Sequence, residues 1–386
     1  MSVFLFADFW GWHNRLLESV AAIVGFYLLL GLPRGFWAGF FLGLLWFWWI
    51  ALSFRYYGLG WLMPAVVLFV AVVYGLIFEF FYYIAARLPY PPLFRALFLW
   101  LASFIHPFGF NWFIPELTLL HSYFGFDKLS FAIFLLAIAI AVLLPRHLKP
   151  LSLLLLLLIL QKPAAIPYAP LQIELVTTQL PQDKKWDRDY LPTIISQNFQ
   201  AIQNAIEHKK DLVVLPESAF PLFLNESPGL LAHLLELSDK ISIVTGALRY
   251  HEGKVYNSTY VFDKGRYIVL NKVVLVPFGE EIPLPKPLAR LVNHLFFNGA
   301  EDYDHAKSPQ TYTIEDVNFT NAICYEATHP IIYRTDTPYI IAISNNAWFT
   351  PSYEPNLQNL IIKYYATMYG KRVYHATNIA QTKVLP

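Results

Sequence analysis

The chain has 386 residues, of which 56% are hydrophobic, 17% aromatic and only 14% charged, with a formal net charge of +1. Soluble domains carry about 25% charged residues, so this composition excludes a protein that is soluble throughout. The near-neutral balance, with no basic patch, gives no reason to expect a nucleic-acid partner.

The charge deficit lies in the first 165 residues. Residues 1–12 are apolar and aromatic but too short to cross a bilayer. They lack a basic start and a small-residue cleavage site, so they do not read as a signal peptide; an interfacial or re-entrant segment is expected. Long apolar runs follow at about residues 16–32, 35–54, 61–86, 93–106, 129–144 and 151–160, which predicts about six membrane spans. The fourth is interrupted by His106-Pro107 and the sixth is short. Glu79 stands near one end of the third. Of the basic residues between runs, Arg34, Arg87, Arg95, Arg146 and Lys149 fall on one side and Arg15 and Arg55 on the other. The more basic side faces the cytoplasm, which puts everything after about residue 162 outside it.

From Leu171 onward charges return, and β-branched strands alternate with helical patterns. Strands are predicted at residues 171–177, 212–215, 241–245, 256–263, 267–275, 318–324 and 339–344, with a turn at Lys264-Gly265. Helices are predicted at 191–208, 230–237 and 357–369. In the first of these Ile194, Ile195, Phe199, Ile202 and Ile206 follow a 3.6-residue period. This alternation points to a layered α/β domain.

Four strand ends carry polar chemistry. Glu217 follows a buried strand in Val-Val-Leu-Pro-Glu-Ser (213–218). Lys272 and Glu280 bracket the run 271–283, which contains a Pro-Phe-Gly turn. Cys324, the single cysteine, sits in Asn-Ala-Ile-Cys-Tyr-Glu (321–326). A strand runs into Asn-Asn-Ala-Trp-Phe at 345–349. One cysteine can make neither an intrachain disulfide nor a Cys-based zinc site. It is a small buried apolar side chain or a reactive thiol. Each of the other features, taken alone, reads first as an ordinary turn or a solvated charge.

Taken together, a carboxylate, a lysine and a cysteine in this order at strand ends resemble the Glu-Lys-Cys triad of the nitrilase (carbon–nitrogen hydrolase) superfamily. With the apolar first half, the chain resembles the apolipoprotein N-acyltransferase family of the bacterial inner membrane. Further blocks that look like that family are 178–187, 215–221, Tyr-Asn-Ser at 256–258, Leu-Val-Pro-Phe-Gly-Glu at 275–280, and 372–378. The family pattern has Asp where Asn346 stands, and it continues past Ala-Thr-Asn to a last membrane helix.

The resemblance implies a multi-pass α-helical membrane domain at 1–165 and an extracytoplasmic nitrilase-like α/β domain, an α-β-β-α sandwich, at 166–386. It implies that Glu217 is the general base, Lys272 the oxyanion stabiliser and Cys324 the nucleophile. Glu280, Tyr325 and Glu326 would support them, and Trp186 and Trp348 would contact lipid or substrate. It calls for no cofactor and no metal. The expected partners are a phospholipid acyl donor, a lipoprotein acceptor and the membrane itself, with the catalytic domain on the periplasmic side. Two other readings remain open: a membrane-tethered amidase or nitrilase acting on a small C–N substrate, and an inactive lipid-binding scaffold.

Overall fold

The apolar first half folds as helices in the computed structural model, which describes residues 2–161, 165–290 and 302–386. The helices are Val3–Trp10, Arg15–Gly31, Phe36–Phe47, Met63–Ala85, Pro91–Ala102, Lys128–Leu143 and Lys149–Leu153. Tighter 3-10 turns extend the third through Trp48–Tyr57 and the seventh through Leu154–Ile159. Two stretches, Phe36–Tyr57 with 22 residues and Gly60–Ala85 with 26, are long and apolar enough to cross a membrane by length and composition. Pro91–Ala102 stops short of the expected fourth span, ahead of the His106-Pro107 break.

The third and fourth helices meet along a row of glycines spaced one turn apart. A Cβ on Gly39 would lie 2.3 Å from the Tyr74 carbonyl oxygen, and one on Gly35 2.6 Å from that of Phe78. Only hydrogen fits there, which is how small residues let apolar helices approach backbone to backbone. Glu79 reaches across this pair and accepts hydrogen bonds from the Gly35 and Phe36 amides at 2.8 and 2.9 Å. It therefore satisfies the orphan donors at a helix start. Arg95, counted above among the loop residues, instead lies within the helix Pro91–Ala102, where it is buried and donates to the Leu30 carbonyl at 2.8 Å. The basic residues left near the helix ends are Arg34, Arg87, Arg146 and Lys149 on one side and Arg15, Arg55 and Lys128 on the other, a smaller inequality.

The described residues form two compact units. The first comprises Met1–Pro107, Asn111–Ala164 and Pro351–Tyr364, and the second Phe108–Phe110, Ala165–Thr350 and Tyr365–Pro386. Residues 162–164, beside the expected junction, lie outside the described ones.

The second unit is built on two sheets. Its strands are β1 (Ile173–Leu175), β2 (Leu212–Val214), β3 (Phe220–Phe223), β4 (Ser242–His251), β5 (Lys254–Asp263), β6 (Arg266–Asn271), β7 (Thr311–Ile314), β8 (Val317–Ile323), β9 (Tyr339–Asn345), β10 (Arg372–Asn378) and β11 (Lys383–Leu385). One sheet has the order β1-β2-β4-β5-β6, with β3 paired to β4; the other is β11-β10-β9-β8-β7. Strands β1, β2 and β4 run parallel, as do β8, β9 and β10.

Strand alternation decides the layers. On β2 and β4, Leu212, Val214 and Val244 join Phe319, Ile341, Ile343 and Ala376 of the other sheet in one core. Val213 and Ile243 point the other way, onto Ile202 and Ala205 of the helix Leu191–Glu207 and Leu234 and Leu237 of the helix Pro228–Leu237. Both faces of these strands are covered, which explains their unbroken apolar runs. Tyr333 packs its ring at a tilt against Tyr365 and Tyr369, at the end of the helix Glu354–Tyr369. The domain is a nitrilase-like α/β sandwich.

Candidate active site

The polar strand ends gather at one edge of the sandwich. Glu217 follows β2 on a tight turn in which Ser218 has a φ of 47°. That turn lies directly over β4. A Cβ on Gly246 would stand 2.5 Å from the Ser218 nitrogen and 2.7 Å from the Glu217 Cα, so only glycine permits it. Lys272 follows β6 and is fully buried. Cys324 follows β8, where the chain turns sharply into a 3-10 helix and the cysteine takes a φ of 53°. Left-handed backbone at a non-glycine residue costs about 1–3 kcal/mol and concentrates at functional sites.

One amide organises the two carboxylates. Asn257 Nδ2 on β5 donates to Glu217 Oε1 at 2.7 Å and to Glu280 Oε1 at 2.9 Å. Glu217 Oε2 accepts from the Asn345 backbone N–H at 2.8 Å. Glu280 Oε2 accepts from Val276 N at 2.9 Å and lies 2.6 Å from Lys272 Nζ. Burial alone would drive the Lys272 ammonium to lose its proton, but Glu280, Glu217 and Cys324 together hold it above the ordinary lysine range. The balance favours the ammonium form of Lys272, paired to Glu280.

Glu326 does something different from its neighbours. It is fully buried; Oε1 accepts from Ile323 N at 2.7 Å and Oε2 from Val273 N at 2.6 Å and Val274 N at 3.2 Å. It ties the strand end before Cys324 to the segment after Lys272. Burial pushes its carboxyl up to about 7, against those N–H donors and Lys272. Tyr325 is buried, donates its hydroxyl to the Gly109 carbonyl at 2.8 Å and stacks on Phe110. Trp186 is 46% exposed, on the chain just after a short helix, and Trp348 is half-buried in the 3-10 turn after Asn345.

Sequence reasoning passed over five residues here. Lys185, on the helix Gln182–Lys185, is 2% exposed and donates to the Glu217 carbonyl at 2.9 Å. Asn257 joins the two carboxylates. Asn345 Nδ2 donates to Gln182 Oε1, and Asn378 Nδ2 to Asn345 Oδ1, both at 2.8 Å. All but Asn257 and Asn345 lie on elements that were not predicted. Tyr-Asn-Ser, Asn-Asn and Ala-Thr-Asn were visible as blocks, but a buried amide and a surface amide look alike in a sequence.

A separate cluster in the first unit, Asp8, His13 and His121, has ligand-type atoms within 4.8 Å of one another. Lys363 Nζ lies 2.9 Å from His121 Nε2.

The carbon–nitrogen hydrolase family matches residues 177–383, and the apolipoprotein N-acyltransferase integral membrane domain matches residues 1–162. An apolipoprotein N-acyltransferase of Wolinella succinogenes is 44% identical, over 100% of this chain and 93% of its own length. Those of Helicobacter pylori and Campylobacter jejuni are 38% and 39% identical, over 96% and 95% of this chain and 87% and 82% of their own lengths. An integral membrane domain, a nitrilase-like sandwich and kinship along the whole chain lead to one assignment: this chain belongs to the apolipoprotein N-acyltransferase family of enzymes.

Proposed function

We propose that the chain moves a fatty acyl group from a phospholipid to the N-terminal amine of a diacylglyceryl-cysteine lipoprotein, by way of a thioester on Cys324. The observation that carries this reading is the hydrogen-bonded run from Glu217 through Asn257 and Glu280 to Lys272, with the strand end before Cys324 tied to the segment after Lys272 by Glu326. Glu217 takes the thiol proton, and the thiolate attacks the ester carbonyl. The oxyanion that forms is stabilised by the Lys272 ammonium, which the Glu280 ion pair holds in place. The intermediate collapses, breaking the ester C–O bond. Glu217 returns its proton to the departing lysophospholipid oxygen, leaving the thioester.

In the second half the lipoprotein amine attacks the thioester carbonyl and gives its proton to Glu217. The C–S bond breaks and Cys324 is reprotonated. The reaction needs no cofactor. Tyr325 shapes the turn beside the nucleophile, Glu326 braces that turn, and Trp186 and Trp348 contact the lipid chains. The enzyme resides in the inner membrane as a multi-pass protein with this domain on the periplasmic side, a topology supported by the unequal basic charge of its loops.

The test is mass spectrometry of the full-length enzyme after incubation with phospholipid. An acyl mass on the Cys324 peptide is expected, and Cys324→Ser should abolish transfer while leaving the fold intact. Absence of that mass from the wild type overturns the reading. Loss of the adduct to water, with no transfer to a diacylglyceryl-peptide amine, would favour a hydrolase instead.

A further inference from the structure

Lys185 stands out because its charge is buried without an acidic partner. It is 2% exposed, and its hydrogen bond is to a carbonyl, that of Glu217. Among the described residues it forms no ion pair, whereas Lys272 is paired with Glu280 at 2.6 Å. An ammonium buried without a carboxylate is costly and usually gives up its proton. Here burial pushes it down to about 8, and the opposing influences are Glu217 first and then Cys324. It thus retains its charge at neutral pH because it lies beside the base and the nucleophile.

We propose that Lys185 is a positioning residue for this reaction: its ammonium fixes the Glu217 main chain and supplies a second buried positive charge to the Glu217–Cys324 pair. This rests on the catalytic roles proposed above for that pair. The geometry gives it two effects. The Glu217 turn is held from one direction by the close approach of Gly246 and tethered by Lys185 at the carbonyl. Electrostatically, the pair carries one negative charge whether the proton sits on Glu217 or on Cys324. A nearby cation therefore does not choose between those two arrangements; it favours both over the doubly protonated, unreactive pair. The other charged groups facing this pair are Lys272 and its partner Glu280, with Glu326 buried close to Lys272. On its own helix Lys185 is accompanied by Asp183 and Lys184, both exposed. Among the described residues, Lys185 is the cation of this set with no carboxylate at ion-pair distance.

The single cysteine makes the test direct, because iodoacetamide alkylation of the full-length protein in detergent reports Cys324 and no other thiol. Alkylation and phospholipid acylation of Cys324 would be followed between about pH 5 and 10 in the wild type, Lys185→Met and Lys185→Arg. Lys185→Met should move the acid side of the alkylation profile up by about one pH unit, a roughly tenfold slowing below it. Lys185→Arg, which stays charged throughout, should keep the wild-type acid side and extend acylation above about pH 8, where the wild type declines.

A Lys185→Met profile superimposable on the wild type, even with a lowered melting temperature, overturns the proposal by leaving only a structural brace. If Lys185→Met does not fold, the arginine variant decides, and an alkaline side identical to the wild type overturns it equally. Failure of the wild type itself to acylate Cys324 would overturn the catalytic reading and this one together, so the two failures are distinct.

Discussion

At the scale of single residues, the proposed mechanism separates groups that react from groups that hold the reacting ones in place. Glu326 belongs to the second kind, since both its oxygens are taken up by backbone N–H groups. Glu326→Gln replaces one acceptor oxygen with a donor that must face an N–H, so a buried donor goes unsatisfied. That costs about 1–3 kcal/mol and should be read as a lower midpoint in chemical denaturation. The pH dependence has a definite sign. A carboxyl at about 7 in the folded protein, raised from 4.5, binds its proton more tightly when folded. Its contribution is therefore full below about pH 4.5 and is lost as pH rises through about 7. The stability difference between wild type and Glu326→Gln should shrink over that window, and a difference that grows with pH would refute this account.

At the scale of elements, the two glycine-lined helices carry the clearest prediction. A leucine at Gly39 would need to displace the Tyr74 backbone, not merely a side chain. Ordinary overpacking costs about 1–3 kcal/mol, and an immovable carbonyl places this substitution at or above that range. Gly39→Leu should therefore lose folded protein in detergent, as judged by size-exclusion chromatography, whereas Gly31→Ala, where a Cβ would meet its nearest neighbour at 3.9 Å, should be far milder. The elements that were legible in the sequence are those with a strong period or an unbroken apolar run: the helix Leu191–Glu207, β2, β8 and β9 each fall within a residue or two of expectation. Those that escaped have physical reasons. Strand β3 contains Pro221 and pairs only with β4, as an edge strand can. Strands β7 and β11 are four and three residues long, and Gln182–Lys185 is a single turn, too short for any period. The predicted strand at 267–275 ends at Asn271 because Val273 and Val274 turn their N–H groups to Glu326 instead of a neighbouring strand.

At the scale of the whole molecule, the lone thiol doubles as a topology reporter. In intact spheroplasts a membrane-impermeant maleimide should label wild-type Cys324, and the signal should vanish in Cys324→Ser. Labelling only after lysis would refute the periplasmic placement. The glutamate, lysine and cysteine motifs are readable because each follows a strand, but the amides beside them are not, since nothing in a sequence marks an asparagine as buried against partners 23 to 40 residues away. Asn378, on β10, holds Asn345, whose own backbone N–H holds Glu217. A ribosome therefore delivers Glu217, Lys272 and Cys324, the proposed base, lysine and nucleophile, before it delivers Asn378. On the proposed reading, synthesis supplies the reacting groups before the strand that aligns them, so having the chemistry and having it arranged are separate events.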